Sequence, residues 1–270
     1  MVDFICVGAQ KAGTTWLWGQ LRQHPDVAFP PVKEVHYFDS LTSERVWKRR
    51  QARMAERCSE EIAALQGSDD PSAPAEIERY RRYMDPSFIY TDPWYAYLYS
   101  AVQPGQKGGD FTPAYSALPD TEVDHVKRVA PDARIIYMIR DPHERAISSL
   151  KMMTSTTAAD KVMHADYYFD RGDYRSSVPR WDQRFGDQIL YLPFGDVRDR
   201  PFELLRQVEQ HIGLKPYDGY TGVDVPVSST GAWSTLEITP EIDAHVQQLF
   251  APQYAFLKSR FSEDFITRIA

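Results

Sequence analysis

Residues 8–15 read GAQKAGTT, between an apolar run, DFICV (3–7), and WLWGQL (16–21). The preceding run has the length and composition of a buried parallel strand. The following segment places Trp16, Leu17 and Leu21 at helical spacing. Strand, glycine-bearing loop and helix, in that order, form the setting of a phosphate-binding loop. Gly8 and Gly13 let an anion approach the chain closely, and the amides of residues 11–15 sit at the positive end of the helix. Thr14 and Thr15 add hydroxyl donors. The lysine is displaced: in a nucleoside-triphosphatase loop it follows the second glycine, but here Thr14 holds that place and Lys11 lies inside the loop. This set predicts a site for a phosphate-like anion with a leaving oxygen whose charge must be neutralised.

The rest of the chain continues the pattern. ARIIYMIRDP (133–142) reads as a second strand followed by a helix, HERAISSLKMM. QILYLPF (188–194) is a third, followed by the helix PFELLRQVEQHIGL, which ends near Gly213. Residues 43–66 predict a long charged helix or helix pair, GSDDPSAPAE (67–76) a surface loop, and IERYRRYM and WYAYLYSAV two further helices. Residues 154–175 and 217–235 read as irregular loops over a site. Strands alternating with helices give an α/β fold with a mostly parallel central sheet flanked by helices. No linker divides the 270 residues, so a single domain, 1–270, is expected.

Composition narrows the partners. A formal net charge of −7 and a pI near 5.5 argue against a nucleic-acid-coating surface. No apolar run reaches the length of a membrane span. The first strand begins almost at Met1, which leaves no room for a signal peptide, so a cytoplasmic location is expected. The two cysteines, Cys6 and Cys58, suggest neither a disulfide framework nor a zinc site. A triphosphatase also needs an acidic metal ligand ending another strand, but the strand at 133–139 ends in Arg140 before Asp141. A metal-free anion transfer fits better.

GAQKAGTTWL resembles the 5'-phosphosulfate loop of sulfotransferases, which use 3'-phosphoadenosine 5'-phosphosulfate (PAPS). IIYMIRDPHERAISSLKM resembles the segment of that family in which an arginine and a later serine bind the donor's 3'-phosphate; the matching residues are Arg140 and Ser148. Weaker likeness continues through KEVHYFD (33–39), GGDFTPAY (108–115) and the run from Gly172 to Gly213, so that it spans about residues 3–215. The resemblance implies a P-loop-like sulfotransferase fold, closest in motif style to bacterial and glycosaminoglycan-type members. It implies PAPS as donor, adenosine 3',5'-bisphosphate as product, and no metal. Lys11 then stabilises charge on the bridging oxygen. Gly8, Gln10, Ala12, Gly13, Thr14, Thr15 and Trp16 join Lys11, Arg140 and Ser148 around the nucleotide. Arginine suits a phosphate through its planar fork of donors; the plainer role for Arg140 is an ion pair with Asp141 or Glu144.

The acceptor side rests on KEVHYFD, which resembles a KEPHFFD segment whose glutamate is the base in related enzymes. Glu34 is therefore the first candidate and His36 the second, and alternation along an extended loop places the two on one side. A salt bridge of Glu34 with Lys33 or Lys11, and a hydrogen-bonded buried His36, are the plainer readings. Asp39, Asp110, Phe111 and Tyr115 complete the expected acceptor-binding set with His36. Two departures stand out. Glycosaminoglycan-type members carry a lysine where this chain has Phe111, which argues for a small, apolar or aromatic acceptor alongside Tyr115, Trp94 and the tyrosines of WYAYLY. The basic loop that covers the 3'-phosphate has only VSSTGAW (227–233) as its counterpart, with Ser229, Thr230 and Gly231 as donors and Lys215 as a nearby alternative. Acceptor-site insertions are expected near 40–110 and 154–175. The alternatives to a sulfotransferase are a P-loop kinase or NTPase, against which Thr14 counts, and a non-catalytic nucleotide-binding homologue.

Overall fold

The computed structural model describes residues 1–41, 44–152, 170–225 and 238–270. The five-residue run Phe4–Gly8 (β1) is buried along its whole length and takes the middle of the sheet. Such a continuous apolar strand belongs where both faces are covered. The five strands are all parallel, in the order β2-β3-β1-β4-β5, with β2 Val27–Ala28, β3 Lys107–Phe111, β4 Arg134–Ile139 and β5 Ile189–Pro193. Phe4 pairs with Gly109 on one side and Arg134 on the other. The chain leaves β1 toward β2 and later returns on the opposite side as β4. The sheet therefore reverses its build direction at β1, and the strand ends there open a crevice.

The strands at 133–142 and 188–194 form as the sequence predicts. β3 escaped that reading because KGGDF has neither apolar alternation nor β-branched residues. Its position comes from packing: a Cβ on Gly109 would lie 2.3 Å from the Phe4 ring and 2.7 Å from that of Phe29. Only a bare backbone lets these aromatic rings lie against the strand.

Eight helices of eight residues or more are described: α1 Thr14–Leu21, α2 Glu44–Gln66, α3 Ala73–Tyr83, α4 Asp120–Val129, α5 Pro142–Met152, α6 Tyr174–Phe185, α7 Pro201–Ile212 and α8 Pro240–Arg260. Glu44–Gln66 forms one helix rather than two, and the expected loop at 67–76 is shortened because α3 begins at Ala73 with Pro74 in its first turn. α2 and α3 pack as a hairpin. α8 packs on α5 through Val246 and Phe250 against Ala146 and Leu150, a small satellite to the main core around the sheet. No described helix is long and apolar enough to cross a membrane. Residues 217–225 are not a loose cover. They are tied to α1, with the Trp16 indole donating to the Val223 carbonyl at 3.1 Å and Gln20 donating to that of Gly222.

Candidate active site

The loop after β1 turns over two positions of left-handed backbone, Lys11 at φ 69° and Gly13 at φ 85°. Glycine meets the second without penalty; lysine at the first is unusual for a residue with a Cβ, and such positions gather at functional sites. The loop is fixed underneath, with the Ala9 amide donating to the Met138 carbonyl at 2.9 Å and the Ala12 amide to Ala9 at 3.2 Å. Gly8 and Ala12 are wholly covered, so they shape the loop from behind.

Gln10, Lys11, Gly13, Thr14, Thr15 and Trp16 open onto a cleft of about 590 Å³. Arg140 and Ser148 reach it from β4 and α5, Pro113 from β3, and Phe194 with Val197 from beyond β5. Val223 and Val225 close a further side. The Arg140 guanidinium donates to the Lys11 carbonyl at 3.1 Å and to Glu144 at 2.9 Å, and stacks 4.3 Å from the centre of the Phe194 ring. Arg140 thus pairs with Glu144 and also lines the cleft. Asp141 is engaged elsewhere, by the Tyr254 hydroxyl at 2.8 and 2.9 Å. Burial lowers the Lys11 pKa, and the charges of Arg140 and Lys33 lower it further. Cations crowded in this way are relieved by a bound polyanion.

Glu34 forms the opposite lip. It shares a hydrogen-bonded chain with two neighbours, His36 Nε2 to the Glu34 carboxylate at 2.9 Å and His36 Nδ1 to Asp39 at 2.7 Å. His36 is 1 % exposed, Asp39 16 % and Glu34 34 %, so only Glu34 offers substantial surface. Burial pushes the Glu34 carboxyl up. The His36 hydrogen bond and charge, with Lys33 and Arg50, outweigh it and hold the group at about 2. For His36 burial works downward, while the hydrogen bonds to Asp39 and Glu34 prevail and raise it. Two carboxylates, one on each ring nitrogen, favour the protonated form of His36. Both ring nitrogens of His36 are occupied, so its expected part as base or acceptor ligand is corrected to holding Glu34.

Three other expected acceptor residues are also corrected. Asp110, Phe111 and Tyr115 are fully buried. Phe111 packs edge-on against Phe4 and Phe29, and Trp94 and Tyr95 lie in the aromatic core with Tyr37. None lines the cleft. Asp110 and Tyr115 nevertheless serve the site from beneath. Asp110 accepts from Thr112 at 2.7 Å and Tyr95 at 3.0 Å, and the Thr112 oxygen accepts the Val35 amide at 3.1 Å. The Tyr115 hydroxyl accepts the Tyr37 amide at 2.9 Å. These bonds clamp the backbone on both sides of His36, which itself adopts a left-handed φ of 54°. Ser229, Thr230 and Gly231 lie outside the described residues.

Lys33 was missed by the sequence reading as a site residue in its own right. It donates to the Thr15 hydroxyl at 2.6 Å, tying the Glu34 segment to the phosphate loop. Phe194 was missed as well, although its place just past the end of a central parallel strand is a recognisable signal.

The sulfotransferase family model matches residues 3–219. The chain belongs to the sulfotransferase family. Members of this family are PAPS-dependent. Across 168 residues, 62 % of this sulfotransferase chain, it is 23 % identical to the membrane-associated sulfotransferase kil1 of Dictyostelium discoideum; the match spans about a quarter of that protein, 26 % of its length. Among solved structures, the sulfotransferase from Alicyclobacillus acidocaldarius superposes with a TM-score of 0.65 at 22 % identity, over 96 % of this chain and 95 % of that one. The sulfotransferase domain of the Synechococcus PCC 7002 olefin synthase gives a TM-score of 0.57 at 18 % identity, over 93 % and 94 %. At these identities the likeness shows the fold, an all-parallel five-stranded sheet between helices.

Proposed function

We propose that this protein transfers a sulfuryl group from PAPS to a hydroxyl of a small-molecule acceptor. The observation that carries this reading is that Lys11, Thr14, Thr15, Arg140, Ser148 and Glu34 line one cleft. The donor residues fit an adenylate carrying two anionic ends. Lys11 and the amides at the start of α1 face the 5' side, and Arg140 with Ser148 takes the 3'-phosphate.

In the transfer, the acceptor oxygen forms a bond to sulfur as the bond from sulfur to the bridging 5'-phosphate oxygen breaks. Lys11 stabilises the charge developing on that bridging oxygen. Glu34 receives the acceptor's proton and passes it to solvent, leaving a sulfate ester and adenosine 3',5'-bisphosphate. A carboxylate held at about 2 is a weak base. Its value lies in being ionised at every working pH and in aligning the hydroxyl, with proton transfer late in the step. Positive charge comes from Lys11, Arg140 and Lys33, so no step calls for a metal.

Titration calorimetry with adenosine 3',5'-bisphosphate in the absence of magnesium tests the donor assignment. Binding about a hundredfold tighter than AMP is expected from loss of a charge-assisted phosphate contact. Equal affinity for AMP would overturn the role of Arg140 and Ser148.

A further inference from the structure

With Phe111, Tyr115 and Trp94 in the core, the acceptor's chemistry must be written elsewhere, and a second concavity answers to it. A groove of about 530 Å³ runs between the α1–β2 connection and the α2–α3 hairpin. Among the described residues, Glu34 is the only one that lines both this groove and the donor cleft. A molecule lying in the groove therefore has one end at the proposed base. The two concavities are also joined by the Lys33–Thr15 hydrogen bond.

The groove has a flat apolar wall and charges that are segregated along its length. Trp18, Phe29, Pro31, Val32 and Tyr80 supply planar or rigid surface. Of the charged residues in its lining, Arg57 is paired internally with Glu60 at 2.8 Å and Glu61 at 2.9 Å, and Glu34 is taken by His36. Four basic and four acidic residues line the groove in all, so it carries no net charge, but its cations gather at one end: Arg22 and Lys33 lie at Trp18 with Arg53 close to Lys33, while Glu56, Glu60 and Glu61 follow along α2. Arg22 and Lys33 both lie over the Trp18 ring, 4.7 and 5.8 Å from its centre, which places two cations beside the aromatic floor. Burial lowers the Lys33 pKa, Glu34 and Cys6 oppose this, and Arg53 lowers it again, so the cations crowd one another.

We infer that this groove is the acceptor subsite and that it selects an aromatic alcohol bearing an anionic group, with the hydroxyl at Glu34 and the anion among Arg22, Lys33 and Arg53. The inference rests on the sulfotransferase reading and adds the substrate class to it. Arg53 and Arg22 act as specificity residues through the acceptor's charge, not its reacting oxygen.

The test uses three flat probes of one size: 6-hydroxy-2-naphthoate, neutral 2-naphthol, and 6-hydroxy-2-naphthylmethylammonium. Their binding to the full chain saturated with adenosine 3',5'-bisphosphate is measured by calorimetry. The naphthoate is expected to bind about tenfold tighter than 2-naphthol and the ammonium probe weakest. Arg53→Glu should weaken the naphthoate about tenfold and leave 2-naphthol within about twofold. Arg22→Glu should act in the same direction. Both arginines are exposed, and unchanged nucleotide affinity in each variant verifies an intact fold. Equal binding of the three probes, tighter binding of the ammonium probe, no binding of any probe, or no effect of either substitution would overturn the inference. Loss of nucleotide binding by the unaltered protein would instead refute the donor assignment, so the two failures are distinct.

Discussion

On one side of Glu34 the cleft is made of strand ends. β1, β4 and β5 stop at one edge of the sheet, and the chain that leaves each of them supplies Lys11, Arg140 and Phe194 within a few residues. On the other side the groove is made of a loop and a helical hairpin: Trp18 and Val32 come from the first β–α unit and its return, Arg53 and Tyr80 from α2 and α3. The difference teaches where specificity is free to change. The residues proposed for the donor are locked to a sheet whose register fixes them. Five of the charged groove residues, Arg53, Glu56, Arg57, Glu60 and Glu61, sit on the surface of α2, where a substitution alters charge without disturbing the core.

The sharpest way to break this comparison is at Lys11. Lys11→Ala is expected to lower turnover about a thousandfold, because a cation at a developing charge acts mainly in the transition state. Release of adenosine 3',5'-bisphosphate measures it, and unchanged turnover would remove Lys11 from the chemistry. Next is Glu34→Gln. It should reduce kcat about a hundredfold while nucleotide affinity is kept, since the amide neither accepts the proton nor holds His36 as an imidazolium. An equal loss of nucleotide affinity would show that Glu34 belongs to the donor side.

A smaller effect reports on the clamp beneath. Asp110 is pushed by burial up to about 6, against the opposing hydrogen bonds from Thr112 and Tyr95 and the charge of His36. Asp110→Asn replaces one acceptor oxygen with a donor and leaves Thr112 or Tyr95 without its partner, at a cost of about 1–3 kcal/mol in unfolding free energy. Urea denaturation measures this. The sign of the wild-type pH dependence follows from a folded pKa above the ordinary 3.8: the contribution of Asp110 is full below that value and declines as pH rises through about 6.

The smallest effect lies in the Glu34–His36–Asp39 chain. Glu34 has its folded pKa depressed from 4.5 to about 2, so its contribution is present above 4.5 and lost as pH falls toward 2. His36 is raised above 6.5, so its contribution is present below 6.5 and lost as pH rises past its folded value. The stability gap between wild type and Glu34→Gln should therefore be widest between these limits and stay below about 1 kcal/mol, because Glu34 is partly solvated. Thermal melts from pH 3 to 9 check it, and a gap independent of pH would refute the ion-paired state.

The same division governs what the sequence made legible. β1, α1, β4, α5, β5 and α7 were readable because apolar periodicity in each is bounded by glycine or proline. β3 was not, since Gly108 and Gly109 carry no strand propensity and are needed only where the Phe4 and Phe29 rings press on them. α8 was not recognised, and its apolar contacts are made with α5, about a hundred residues away in sequence. Lys11 and Thr14 came from the context of the loop, and Arg140 and Ser148 from the resemblance of IIYMIRDPHERAISSLKM to a 3'-phosphate segment; all four line one cleft. Phe111 and Tyr115 were given to the acceptor because an aromatic residue reads alike in a pocket and in a core.

The sequence by itself determined the class of fold and singled out the loop proposed for the donor, for a phosphate-binding turn is local: strand, glycine, cation and helix start lie within a dozen positions. Only the tertiary structure decided which carboxylate remains open, that His36 is held between two acids, and which side chains face the groove beside Glu34. Those facts depend on burial and on charges brought together from distant segments, and neither is a property of any short stretch of chain.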